Sequence, residues 1–217
     1  MPTKPAAKPA TKTRPSRLKR PYHHGDLRAA LIDAALRLIA ERGVQGLALS
    51  DAAHLAGVSV AAPYRHFKDK EALLAEIARE GFVMFRDALA LAAQSHPRDK
   101  KKRLEEMGVA YVEFALAHRS RFKVMWEGGV SKDKFPELGQ TAYDAFLLLE
   151  RAANDLIDLS AGPRPAQQQA FVCAAWSLVH GYATLALEHE LDVVTPEQSD
   201  QKLLRQTLHL LLDQFAP

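Results

Sequence analysis

Leu49 to Phe67, LSDAAHLAGVSVAAPYRHF, is the stretch that decides how this chain is read. It predicts two short helices joined by a turn, with Lys68-Asp69-Lys70-Glu71 opening a third. Two helices joined by a Gly-containing turn are a common device for laying one of them in the DNA major groove. Ser50 is suited to cap the first helix, with Asp51 favourable to its N-terminal dipole. Ala52, Ala53 and Ala56 are small enough for a second helix to cross them closely. Gly57 stands where the helix must stop and the backbone needs positive φ, and Val58 is an apolar plug between the helices. Ser59 is the expected N-cap of the second helix. That leaves Val60 and Ala61 on its exposed first turn, where a recognition helix meets base edges. Tyr64, Arg65 and His66 follow with donors suited to phosphate oxygens, and Phe67 is expected to anchor the helix end in the core. An ordinary helical hairpin would read much the same, so the flanking sequence has to separate the two.

Upstream, Leu27, Leu31, Ala34, Ala35, Leu38 and Ile39 recur at helical spacing and predict a helix from Asp26 to about Arg42. Gly43 fits its C-terminal stop. The run from Tyr22 to about Glu80 then contains Glu41-Arg42-Gly43, Asp51, Ala53, Ala56-Gly57-Val58-Ser59, Tyr64-Arg65-His66-Phe67 and Lys70-Glu71-Ala72-Leu73-Leu74. In this order and spacing it resembles the N-terminal domain of TetR-family transcriptional regulators. The resemblance implies an all-α fold with a helix-turn-helix DNA-binding head over residues 22–70 and a helical ligand-binding and dimerisation body over 71–217. It also implies a bacterial, cytoplasmic repressor relieved by a small molecule. Two positions depart from the family pattern. Ala48 stands where a capping, phosphate-touching Thr is common, and Pro63 where an apolar Leu is common in the recognition helix. Counted from Ser59, Pro63 is the fourth helical residue and should forfeit at most one backbone hydrogen bond.

A chain of 217 residues with 47% hydrophobic and 25% charged residues has the composition of a soluble globular protein. The lone cysteine, Cys173, has no intramolecular partner, which favours a reducing compartment. It lies in an apolar stretch and is expected to be inert. No apolar run reaches the length of a membrane span, and the N-terminus lacks the apolar core of a signal peptide. Residues 1–21 carry seven basic side chains, no acid and five prolines, which leaves 22 basic against 26 acidic residues elsewhere. Such a segment cannot pack a core and reads either as an arm that follows phosphates or as a solubilising tail. His23 and His24 precede the first helix, but adjacent residues face different ways and nothing completes a metal site, so no metal is expected.

Beyond Asp69 the pattern stays helical. Helices are predicted over 69–96, with Leu73, Leu74, Ile77, Gly81, Met84, Phe85, Ala88 and Leu91 as its apolar stripe, and over 99–118, 119–127, 136–159, 166–191 and 197–215. Gly128-Gly129 marks a loop and Ala161-Gly162-Pro163-Arg164-Pro165 a break. Tyr111, Phe114, Phe122, Met125, Trp126, Tyr143 and Phe146 are able to line an apolar pocket, although such residues more often make ordinary core. Trp176-Ser177-Leu178-Val179-His180-Gly181 resembles a C-terminal subgroup of the same family. Trp176 and His180 share a helix face, so they read either as a pocket wall with a ligand hydrogen bond or as a packed Trp beside a satisfied His. Gly181 is expected to permit close helix approach. The family resemblance implies a homodimer through the last two long helices, and two-fold symmetry then calls for a palindromic operator in double-stranded DNA.

No Gly-rich phosphate loop, nucleophile elbow or paired-Cys motif is present, so neither catalysis nor a cofactor is expected. The reading is a homodimeric repressor with a hydrophobic effector. It places DNA contact at Ser50, Ser59, Val60, Ala61, Tyr64, Arg65, His66 and Lys70, and ligand contact at Tyr111, Phe114, Phe122, Trp126, Tyr143, Trp176 and His180. An activator of the same fold, or a helical interaction module with a non-reading head, are the alternatives.

Overall fold

The computed structural model describes residues 27–157, 165–193 and 200–213. The basic stretch 1–21, Tyr22, His23, His24 and Asp26, the break at 161–164, Pro196 and Phe215 lie outside the described residues. Among the described residues there are eight α-helices, two 3-10 turns and no strand. The helices are α1 (Leu27–Arg42), α2 (Leu49–Ala56), α3 (Lys70–Ser95), α4 (Lys100–Ala117), α5 (Arg119–Glu127), α6 (Pro136–Asn154), α7 (Pro165–Leu187) and α8 (Asp200–Asp213).

Helix α1 buries Leu31, Ile32, Ala34, Ala35, Leu38 and Ile39 against α2, whose Ala52 and Ala53 have no exposed surface. Gly43 at φ 72° ends α1. Helix α3 is the axis of the molecule. Asp69 caps it by accepting the Ala72 N–H at 2.8 Å, and it packs on α4, α5 and α6. Its inward face carries Leu73, Leu74, Ile77, Phe82, Phe85 and Leu89. Met84 and Leu91, expected in that stripe, are 37% and 72% exposed. Leu89 takes the inward position near the C-terminal end, and a residue two further along a helix points away.

Helix α7 satisfies the length and composition of a membrane span over Ala166–Leu187, contrary to the sequence expectation. In this fold it is a core helix, with Phe171, Val172, Val179, Tyr182 and Ala183 buried against α4 and α6. It stops at Leu187, short of 191, because the chain turns at His189, the one non-glycine residue with positive φ (60°) among those described. Helix α6 likewise stops at Asn154 rather than 159, where Leu156 and Ile157 donate back three residues and tighten the turn. Close helix approach occurs at Gly108, where a Cβ would sit 2.9 Å from Leu208 Cδ2 and 3.3 Å from Val179 Cγ1. Gly181, expected to serve that purpose, faces open space within its own chain.

A buried carboxylate ties α8 to α4. Glu105 is 2% exposed and is met by Lys102, Arg205 and His209 at 2.9–3.0 Å. Burial pushes its carboxyl up, but hydrogen bonds from His209, Lys102 and Arg205 outweigh that and hold it below its ordinary range.

Candidate nucleic-acid interface and apolar cavity

The turn after α2 forms as the sequence predicts. Gly57 adopts φ 75°, ψ 28°; its N–H donates to His54 O at 3.1 Å and the Val58 N–H donates to Ala53 O at 3.0 Å. This left-handed cap satisfies the carbonyls that the helix end would otherwise strand. The start of α2 differs from expectation. Ala48, not Ser50, occupies the N-cap position at φ −124°, ψ 145°, and no side chain caps the helix; Ser50 lies inside the first turn, half-buried.

The second helix of the motif is also not as expected. Residues 59–62 form a turn closed by the Ala62 N–H on Ser59 O at 2.9 Å, and Pro63–Arg65 is a single 3-10 turn. Ser59 therefore caps no α-helix. Pro63 has no N–H to give the Ser59 carbonyl, so an α-helical bond cannot form there, and Ala62 supplies the shorter one instead. The Pro63 ring is buried and Phe67 is 3% exposed, so the segment is pinned at both points. Between and before these anchors the chain faces outward. Ser59, Val60, Ala61, Tyr64, Arg65 and His66 are all exposed. Leu55, Val60 and Tyr64 are three of the large apolar side chains left in solvent, at 48%, 44% and 59%. Lys70 is half-buried, and its ammonium donates to the Gln45 carbonyl at 3.0 Å, tying the α1–α2 loop to the start of α3. Arg42 and Asp51 pair at 3.1 Å between α1 and α2.

Beside the middle of α3, the body encloses a cavity of about 330 Å³ lined by Phe82, Phe85, Leu89, Met107, Tyr111, Trp126, Lys132, Ala142, Tyr143, Phe146, Leu149, Trp176 and Val179, among others. Of the expected ligand residues, Tyr111, Trp126, Tyr143 and Trp176 line it, as does Phe146. Phe114, Phe122 and His180 do not. Phe114 faces an outer groove with Leu91, and Phe122 packs behind Tyr111 at a ring distance of 6.0 Å. His180 stands in a second layer, with Nδ1 2.9 Å from the Tyr111 hydroxyl. Burial raises the Tyr111 pKa and lowers that of His180, so both groups are held in their neutral forms. The Trp-x-x-x-His spacing thus puts Trp176 in the cavity wall and His180 behind it, on the Tyr111 hydroxyl. The Trp126 Nε1–H is buried with no hydrogen-bond partner among the described residues.

Sequence reasoning missed the wall that α3 supplies, Phe82, Phe85 and Leu89. Their i, i+3, i+7 spacing was visible but is shared by any buried face. It also missed Lys132, the single charged side chain of the lining. Cys173, expected to be inert within an apolar helix, is exposed on the outer face of α7.

Ion pairs connect the head to the body. Glu80 on α3 takes Arg28 of α1 at 3.3 Å and Arg121 of α5 at 3.1 Å, and Arg28 also pairs with Glu76. Glu71, in the first turn of α3, accepts Lys134 at 3.1 Å and the Ser131 N–H at 3.4 Å from the α5–α6 loop.

Two family models match the chain. Residues 31–77 match bacterial regulatory proteins of the tetR family, and residues 104–211 match the tetracyclin repressor-like C-terminal domain. The HTH-type transcriptional regulator BetI of Rhizobium meliloti (strain 1021) is 36% identical over 90 residues, 41% of this chain and 44% of BetI. The match therefore spans under half the length of that curated relative. Among solved structures, a protein of unknown function from Rhodococcus sp. RHA1 superposes with a TM-score of 0.74 at 30% identity, over 92% of this chain and 100% of that one. AibR, solved with isovaleryl coenzyme A and operator DNA, superposes with a TM-score of 0.65 at 18% identity, over 88% and 98% of the two chains. At that identity the likeness is one of fold.

Proposed function

The chain belongs to the TetR family of transcriptional regulators, and from that premise we propose that it is a homodimeric repressor released from a palindromic operator by a small, hydrophobic effector. The members of this family regulate transcription and are not enzymes. The observation that carries the proposal is the reach of α3. Its first turn is tied to the α1–α2 loop through Lys70 and follows directly on Phe67, the buried anchor of the outward-facing segment 59–66, and its middle forms one wall of an apolar cavity. A ligand that fits the cavity better in one orientation of α3 than in another shifts the head between DNA-competent and incompetent states.

Residues 22–70 act as the head and 71–217 as the body. In the head, Val60 and Ala61 meet base edges, mainly through apolar contact with thymine methyls. Ser50, Ser59, Tyr64, Arg65, His66 and Lys70 serve the phosphates. Dimerisation uses the outer faces of α7 and α8. On α7 that face is a stripe of small residues, Ala170, Cys173, Ala174, Ser177 and Gly181, all outside the core. On α8 it includes Leu210, 73% exposed. Small residues let two helices approach closely, and a four-helix bundle is the simplest symmetric closure.

Selection of bound sequences from a random duplex library, at two salt concentrations, tests this reading. It expects a palindrome with half-sites about one helical turn or a multiple apart, and an affinity that falls steeply with salt. Recovery of unrelated sequences, sensitive to salt alone, would refute a head that reads DNA.

A further inference from the structure

We propose that the effector is a compact monocarboxylate with an apolar body, and that Lys132 is the side chain that selects its carboxylate. This deepens the ligand-responsive reading above and rests on it. The cavity lining is aromatic and aliphatic, with Lys132 as its one charge. An unpaired carboxylate in such a space is strongly disfavoured, so an anionic group is accepted only where the ammonium stands, at the rim. Lys132 is exposed there, with Nζ 5.8 Å from the centroid of Phe82. Its neighbour Lys134 is committed to Glu71. Lys132 has no carboxylate partner among the described ion pairs, so its charge is open to an incoming anion.

A second group converges on the same ring. Trp126 meets Phe82 edge-on at 5.4 Å, and its buried N–H lacks an acceptor. An oxygen of the ligand supplies one after a small shift of the indole. The cavity, about 330 Å³, is at the low end for small-molecule sites, which restricts the apolar part to a single ring or a short chain. The loop that offers Lys132 also carries Ser131 and Lys134, the residues that hold Glu71 in the first turn of α3. Drawing Lys132 toward an anion therefore pulls on the loop that steadies the head, which couples selection of the carboxylate to release of DNA.

The test uses the full chain and its own fluorescence. Trp126 and Trp176 are the only tryptophans of the sequence and both line the cavity. Benzoate, 3-phenylpropionate and octanoate are each titrated against the corresponding primary amide. At least one acid is expected to bind about tenfold more tightly than its amide, the value of a charge-assisted interaction at a partly exposed site. Lys132→Gln should abolish that preference, bringing each acid to the affinity of its amide, without lowering the melting temperature. Equal affinities for each acid and its amide, a preference that survives Lys132→Gln, or no fluorescence change with any of the six compounds at millimolar concentration would each overturn the proposal. The titration contains no DNA, so its failure leaves operator selection standing, and failure of that selection leaves the titration interpretable.

Discussion

Replacing Gly181 by Leu should separate the stability of the protomer from that of the dimer. A Cβ built at Gly181 meets no atom of its own chain within 4 Å. Within the protomer the first carbon of a larger side chain is therefore unobstructed, and leaving glycine in a helix gains about 1 kcal/mol of helix propensity. In a close two-fold seam the same leucine enters twice. Overpacking at roughly 1–3 kcal/mol per insertion weakens the dimer by about 2–6 kcal/mol, or from ~30-fold to ~20,000-fold in dissociation constant. Sedimentation equilibrium over a range of protein concentrations measures that constant. Urea denaturation of the dilute protein measures the protomer. Gly108→Leu is the control: its added carbon would lie 2.9 and 3.0 Å from the two Leu208 methyls, so it should destabilise the protomer itself. If Gly181→Leu dimerises as the parent does, the seam does not run along this face of α7 and its small residues mark no interface.

Tyr64→Ala removes a side chain that is 59% exposed. Stability should change by under about 0.5 kcal/mol, while operator affinity in a gel-shift titration should fall about tenfold or more. Glu105→Ala removes the buried carboxylate that faces Arg205, Lys102 and His209; Arg205 and Lys102 keep Glu106, and His209 loses its carboxylate. It should lower stability in urea by about 2 kcal/mol, less than a fully buried pair because the cations face solvent. Because the folded Glu105 carboxyl is held below its ordinary value of 4.5, its contribution is complete above that pH and is lost as pH falls from there through the lowered folded value. Denaturation of Glu105→Gln should show a flatter loss of stability on acidification. Removing residues 1–21, with seven basic side chains, should reduce the salt dependence of operator binding by about 0.9 in log–log slope for each phosphate no longer neutralised; an unchanged slope would identify a tail without a DNA role.

The parts of the fold set by local periodicity were legible from the chain. The buried stripe of α1, the glycine stop at Gly57 and the Asp69 opening of α3 each follow from a rule that operates within one or two turns. The recognition segment was not, although its cause lay in plain sight. Pro63 read as a tolerable fourth residue of a helix. Its missing N–H, together with burial of its ring, converts the segment to a turn and a 3-10 turn. Burial of that ring depends on the surrounding head, which local sequence does not encode. The cavity shows the same limit. Tyr111 and His180 meet across 69 positions, and an aromatic residue reads alike whether it faces the void, as Trp126 does, or packs one layer behind it, as Phe122 does. Lys132 belongs to a loop with no period at all, so only the folded chain brings it to the rim.

The 26 residues of α3 form one uninterrupted rod, and that continuity gives it mechanical advantage. From Phe85 in the cavity wall to Lys70 at the head is about 22 Å at ~1.5 Å per residue. Pivoted at the cavity, such a rod moves its far end by about 3.4 Å for a tilt of roughly 9°, one base-pair step along DNA. With two such rods in a dimer, a few ångströms of side-chain rearrangement around a ligand become a mismatch in pitch between the reading heads and the double helix.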